Sequence, residues 1–192
     1  MTRIPIRSSP LPARPLWTLA LVATLAVVGP AGCGGDDDDS EPSTFESDTF
    51  PFTFEYPDGF EIAEDVGVSE ELGGAVDETV AIAMDDDNAL ILQRATLNLE
   101  IDEANLGLAK EEFDGLVQQV DPGAAGEEGE LAGFPSLTYD AVTLTTPEEG
   151  ESRITILFEG DQEYVINCQS TPDGREGIEE ACDLALETLA PS

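Results

Sequence analysis

The sequence predicts an α+β domain built on an antiparallel sheet, preceded by a signal peptide and an acidic linker. Three observations lead to this fold class. Several short segments alternate apolar and polar residues between turn residues, as half-buried strands joined by hairpins do. Two stretches instead repeat apolar residues every three or four positions, which is the period of a helix. Both helical stretches follow runs of strands, an order that favours α+β over alternating βαβ units.

The composition limits the function before any motif is considered. The 192 residues include 42 Asp and Glu against 7 Lys and Arg, with no His, and the formal net charge is −35. Because nucleic-acid binding needs Lys and Arg to replace counterions, we expect no nucleic-acid partner. The absence of His excludes Ser-His-Asp and Cys-His catalysis and removes the commonest zinc ligand. Since the sequence also has no nucleophile–base pair, no phosphate-binding loop and no zinc-ligand spacing, we predict no catalytic residues, no metal site and no cofactor.

Residues 1–32 predict an export signal. Three arginines precede an apolar run, Leu16 to Val28, that is too short to span a bilayer as a helix. The following Ala31-Gly32-Cys33 resembles the signal of bacterial lipoproteins, in which the peptide is cut before the Cys and its sulfur receives a diacylglyceryl group. This resemblance implies a lipid anchor at Cys33 and an extracytoplasmic protein held in the cell membrane. An ordinary signal peptide cut elsewhere and an uncleaved transmembrane anchor are the alternatives.

Residues 33–43 predict a flexible tether. Gly34-Gly35, Asp36–Asp39 and Ser40–Ser43 contain nothing apolar that could pack. About ten residues of such a chain span roughly 15–20 Å. Anionic headgroups would repel the four aspartates, so the tether would hold the domain away from the bilayer. A calcium site at Asp36–Asp39 is the alternative, and it would be weak because strong sites preorganise six to eight oxygens.

The domain, residues 44–192, opens with predicted strands. Phe50, Phe52, Phe54 and Tyr56 fall on one side of a strand, and Pro57-Asp58-Gly59 has the residues of a turn. Residues 60–66 then form a second strand. Residues 78–84 and 89–98 predict a hairpin whose turn is Asp85-Asp86-Asp87-Asn88, and a metal site is the alternative for these aspartates.

The second half of the domain contains both predicted helices. Apolar residues at helical spacing predict a helix over 102–120, with Asp102 or Asn105 as its cap and Asp121-Pro122-Gly123 at its end. A Gly- and Glu-rich loop follows up to Glu130. Strands over 134–145, 153–159 and 163–169 form a meander, with a turn at 147–150. A closing helix is predicted over 175–189, where Ile178, Ala181, Cys182, Ala185 and Leu189 share one face.

Two cysteines remain once Cys33 is assigned to the lipid. Cys168 shares a strand face with Tyr164 and Ile166, and Cys182 lies on the apolar face of the final helix. If that helix packs on that sheet face, the two sulfurs can meet, and an oxidising compartment then favours a disulfide. A redox-active pair is the alternative, and the absence of a C-x-x-C motif disfavours it.

The run Phe52-Thr53-Phe54-Glu55-Tyr56-Pro57-Asp58-Gly59-Phe60 resembles the opening of PsbP-like and Mog-like domains. These domains begin with a strand reading Phe-x-x-x-Tyr-Pro, followed by a turn and an aromatic residue. Phe60 stands where Trp is common. Lipoproteins of the LpqN type look similar. The resemblance covers about residues 45–190 and implies an α/β/α sandwich around the sheet, a binding or assembly role, and no shared catalytic set.

The sequence therefore favours a non-enzymatic surface module that binds a protein, a small ligand or another component of the cell envelope. One alternative is an extracytoplasmic hydrolase that uses two carboxylates, as glycosidases do. The other is a divalent-cation-binding or salt-adapted surface protein, which would account for the acidic composition.

Overall fold

A computed structural model of the chain describes residues 41–64, 76–144 and 150–192. The predicted signal peptide, Cys33, Asp36–Asp39 and most of the 147–150 turn lie outside these residues. Within the described ranges, no helix is long and apolar enough to cross a membrane.

The described residues form two antiparallel sheets and two helices. The smaller sheet has the order β1-β2-β9, and the larger has the order β3-β4-β5-β8-β7-β6. The elements, in chain order, are β1 (Ser43–Phe45), β2 (Phe52–Tyr56), β3 (Glu61–Glu64), β4 (Val76–Ala83), β5 (Ala89–Ile101), α1 (Leu106–Val117), β6 (Glu127–Leu131), β7 (Phe134–Leu144), β8 (Gly150–Ser170), α2 (Arg175–Thr188) and β9 (Ala190–Pro191).

Strand β8 doubles back on itself near Gly160. Its 21 residues would span about 70 Å if straight, yet a Cβ on Gly150 would lie 3.3 Å from the Ser170 carbonyl oxygen. The Ser152 hydroxyl also hydrogen-bonds to the Asn167 side chain, and Gly160 has a φ of +62° that suits a tight turn. The first arm pairs with β7 and the return arm pairs with β5. The predicted meander is therefore confirmed.

Layers cover both faces of the larger sheet. In β2, Phe52, Phe54 and Tyr56 are buried while Thr53 and Glu55 are half-buried, as the alternation predicts. Their rings pack with α2 against one face of the larger sheet. Helix α1 covers the other face, over β6 and β7. The predicted α+β sandwich, with the antiparallel sheet between helical layers, is confirmed, and the smaller sheet shares a layer with α2.

Three expectations about the elements were wrong or incomplete. The predicted loop up to Glu130 contains strand β6, which pairs with β7 through the backbone. Its glutamates are exposed on both sides, so no apolar alternation marks it. Helix α1 begins only at Leu106, because the Asp102 carboxylate accepts the backbone N–H groups of Ala104 and Asn105 in a preceding turn. Strands β1 and β9 were not predicted.

Candidate functional site

A disulfide joins the sheet to α2. Cys168 lies on the return arm of β8 and Cys182 in the middle of α2, with a Cα–Cα distance of 6.0 Å. Both are buried, at 4% and 1% exposure. The alternation in β8 and the helical spacing in α2 predicted that both cysteine side chains face the core. The structure joins this predicted pair. The bond fixes α2 against the sheet.

A small cavity lies beside the disulfide. It is lined by Glu151, Arg153, Cys168, Ser170, Ile178, Glu179 and Cys182, and its volume is about 30 Å³. That volume accommodates about one or two water molecules. Pockets for organic ligands enclose roughly 300–1,000 Å³. The cavity is therefore too small for an organic ligand.

The basic side chains after Cys33 are all engaged by acidic ones. Arg153 contacts Asp140 at 3.0 Å and Asp183 at 2.5 Å, and Arg175 contacts Glu151 at 2.9 Å. The other pairs are Lys110–Asp114 at 2.6 Å and Arg94–Glu78 at 4.0 Å. Every Lys and Arg in the described part of the chain thus has a carboxylate neighbour, although the buried Nε of Arg94 has no hydrogen-bond partner among the described residues.

Asp114 connects α1 to the sheet. Its Oδ1 accepts the Gly126 backbone N–H at 2.9 Å and the Tyr139 hydroxyl at 3.0 Å, while Oδ2 pairs with Lys110. Burial raises the pKa of Asp114, but the hydrogen bonds from Lys110, Gly126 and Tyr139 outweigh it and hold the pKa below 3.8. Burial and the neighbouring carboxylate raise the pKa of Tyr139. The network has a structural role, because both carboxylate oxygens of Asp114 are occupied by partners within the domain.

Asn88 closes the turn between β4 and β5. Its backbone carbonyl accepts the Met84 N–H at 2.9 Å, and its side-chain Nδ2 donates to Asp85 at 2.7 Å. Its Oδ1 accepts the Thr171 backbone N–H at 2.7 Å, which links this turn to the start of α2. The predicted turn is confirmed, and Asp85 holds it. Among the described residues, no group of three His, Cys, Asp or Glu side chains is placed to hold a metal ion.

Glu163 is an acidic residue in an inward-facing position. It lies on the return arm of β8 opposite Ala95 and shares its strand face with Val165, which packs in the core under α1. Burial and the negative charge of Glu112 on α1 raise the pKa of Glu163 to about 7. Neither carboxylate pairs with a basic side chain within the described ranges.

Sequence reasoning missed Asp114 and Glu163, and it predicted the turn at Asn88 but not its hydrogen bond to Thr171. Only Glu163 carries a signal that could have identified it, because an acid at an inward strand position breaks the apolar pattern. Gly126 and Thr171, which donate backbone N–H groups to Asp114 and Asn88, lie 12 and 83 residues away along the chain, so no local spacing reveals these contacts.

Comparisons with known proteins identify the fold. No protein-family model matches the chain, and no curated protein matches it. The solution structure of cyanobacterial PsbP (CyanoP) from Synechocystis is similar, with 13% identity over 84% of this chain and 98% of that chain and a TM-score of 0.55. The crystal structure of LpqN, involved in cell envelope biogenesis of Mycobacterium tuberculosis, has 14% identity over 80% and 86% of the two chains and a TM-score of 0.47. The likeness to CyanoP shows that this domain has the PsbP-like fold.

Proposed function

We propose that this chain is a membrane-anchored extracytoplasmic lipoprotein whose acidic domain is a non-enzymatic binding or assembly module of the cell envelope. The observation that carries the proposal is the combination of Ala31-Gly32-Cys33 after an apolar run with the Cys168–Cys182 disulfide. The first is the pattern of an exported lipoprotein. The second is a bond that persists in oxidising compartments outside the cytoplasm.

The described site geometry supports binding through a surface. The cavity beside the disulfide accommodates only water. The aromatic rings of the core pack against one another, including Phe52 against Tyr164 at 5.8 Å between centroids.

Mass spectrometry of the full chain, expressed in a bacterium and recovered from membranes, tests the anchor. We expect the mature protein to begin at Cys33 and to carry the mass of a diacylglyceryl group. The Cys33→Ser variant should lose this mass and leave the membrane fraction, while Cys182→Ser should keep it. Recovery of the wild-type chain from membranes with an unmodified Cys33 would contradict the proposal.

One observation favours a second candidate, the carboxylate-based hydrolase. Glu163 has a pKa raised to about 7 beside the carboxylate of Glu112, and a general acid needs such a value near neutral pH. With 42 acidic residues, however, neighbouring carboxylates are common in this chain. Hydrolysis of aryl glycosides by the wild type that Glu163→Gln abolishes would favour this candidate.

A further inference from the structure

The turn between β2 and β3 contains an exposed Asp-Gly dipeptide. The chain has Asp-Gly at three places, 58–59, 114–115 and 173–174. In such a dipeptide the backbone nitrogen of the glycine can attack the carboxyl carbon of the aspartate and close a succinimide ring, because no glycine side chain shields that nitrogen. The attack requires a free carboxyl group and a backbone that can rotate. The fold restrains the three dipeptides to very different degrees.

Asp114-Gly115 is held within α1. Both oxygens of the Asp114 carboxylate are engaged, by Lys110 on one side and by Gly126 and Tyr139 on the other. The helical hydrogen-bond pattern also fixes the Gly115 nitrogen, and closing the ring would require the ψ of Asp114 to leave the helical range. Ring closure at Asp114 would therefore break hydrogen bonds of both the side chain and the helix.

Asp173-Gly174 is held at the start of α2. The Gly174 N–H donates to the Thr171 carbonyl at 3.2 Å. Gly174 is buried and packs so closely on Asn88 that a Cβ at this position would clash with the Asn88 side chain. Since Asn88 also accepts the Thr171 N–H at 2.7 Å, the backbone here cannot rotate without loosening the contact between α2 and the β4–β5 turn.

Asp58-Gly59 has none of these restraints within the described residues. Both residues are exposed, and the Asp58 carboxylate pairs with no basic side chain that the structure describes. The Gly59 N–H donates to no backbone carbonyl in the described ranges. Gly59 has a φ of +88° and open space around its Cα, which is the conformational freedom that glycine gives to a turn. Both the attacking nitrogen and its target carbon are therefore free to move.

We propose that Asp58 is a modification site that isomerises spontaneously to isoaspartate. The Gly59 nitrogen forms a bond to the side-chain carboxyl carbon of Asp58, and the carboxyl hydroxyl leaves with the amide proton as water. Solvent water then adds to either carbonyl of the succinimide. Addition at one carbonyl restores Asp, and addition at the other leaves the backbone running through the former side chain. The product has the mass and charge of the original chain but one more methylene in its backbone.

The lengthened backbone lies between two residues of the core. Tyr56 ends β2 and is buried, and Phe60 packs against the same cluster just before β3 begins. An added methylene between them changes the path of the chain through the turn. The modification therefore alters the connection between the two sheets without touching the disulfide or α2.

The test compares the folded chain with the unfolded one. The exported full-length protein is incubated for a prolonged period in neutral buffer, and a second sample is incubated in urea with a reductant. Enzymatic methylation of the new carboxylate measures isoaspartate, and a protease that cleaves before Asp but not before isoaspartate locates it. We expect isoaspartate at 58 and not at 114 or 173 in the folded chain, and at all three places in the unfolded chain.

Two matched variants complete the test. Asp58→Glu keeps the charge but places the carboxyl carbon one methylene farther along the side chain, so a larger ring would have to close, and the variant should lose the isoaspartate at 58. Asp173→Glu makes the same change at a restrained dipeptide and should keep the wild-type amount. Circular dichroism checks that both variants are folded. Equal isomerisation at the three places in the folded wild type, or none at 58 in the folded chain while the unfolded chain isomerises, would overturn the proposal.

Discussion

Glu163 makes the stability of the domain depend on pH. Burial and the charge of Glu112 raise its pKa to about 7 in the folded chain, from 4.5 in the absence of these effects. The folded state therefore binds this proton more tightly than the unfolded state does. The stabilisation is fully present below pH 4.5 and is lost as the pH rises through about 7.

Glu163→Gln should remove this pH dependence. We expect the wild type to lose about 1–2 kcal/mol of unfolding free energy relative to the variant between about pH 5 and about pH 8, a figure reduced for the partial exposure of the side chain. Urea unfolding at a series of pH values measures the difference. Glu180→Gln, at an exposed position on α2, should follow the wild-type profile. Parallel profiles for wild type and E163Q would contradict the assignment.

Side chains whose partners are distant in the sequence limit what the sequence can predict. The buried side of β2 could be predicted because every second residue of the strand is aromatic. The role of Asp114 could not, because Gly126 and Tyr139 meet it only after α1 has packed on the sheet, and only Lys110 lies at a helical spacing from it. The same holds for Asn88 and Thr171, which are 83 residues apart. Local patterns identify strand faces, whereas such long-range hydrogen bonds depend on the finished topology.

Among the elements, α2 depends on the disulfide that fixes its middle to β8. The two cysteines are separated by 14 residues and both are buried. In the chain-entropy model, closing a loop of this size removes disorder from the unfolded state and stabilises the fold by about 3 kcal/mol. The helix also contributes Ile178, Ala181 and Ala185 to the core, so loosening it would expose apolar surface.

The double variant C168A/C182A should therefore lose about 3 kcal/mol of unfolding free energy. Guanidinium unfolding of the exported protein measures the loss. A reductant should lower the stability of the wild type by a similar amount and leave that of the variant unchanged, which separates the effect of the bond from the effect of the substitutions. A variant as stable as the oxidised wild type would show that the bond contributes nothing to the fold.

Two of the strands that the sequence did not reveal, β6 and β9, share a physical cause. Strand β6 lies at the edge of the larger sheet, and its exposed glutamates form no apolar face. Such charges discourage pairing with other chains, which is a common property of edge strands. Strand β9 has only two residues, beside Phe52 and Thr53. These strands are held by backbone pairing with a neighbouring strand, so the periodicity of their side chains does not reveal them.

For the whole molecule, charge is the dominant property. Arg94, Lys110, Arg153 and Arg175 are the basic residues after Cys33, against 42 acidic ones. Each of the four is engaged, so most carboxylates on the described surface face only water and one another. Mutual repulsion of this size opposes the compact state. Mobile ions screen it, because the Debye length falls from roughly 30 Å at 0.01 M to roughly 3 Å at 1 M salt.

The unfolding free energy should therefore rise by about 1–3 kcal/mol between about 0.01 M and about 1 M NaCl, and equally in KCl. The triple variant E127Q/E128Q/E130Q, which neutralises the exposed edge strand β6, should show a smaller rise. Chemical denaturation at fixed pH measures both slopes. Screening has no saturation point and does not distinguish monovalent cations, whereas a calcium site would saturate at micromolar concentration with fixed stoichiometry. If Ca²⁺ stabilises the domain saturably and NaCl has no effect, the acidic residues serve to bind metal, and the prediction of a hydrated, self-repelling surface is wrong.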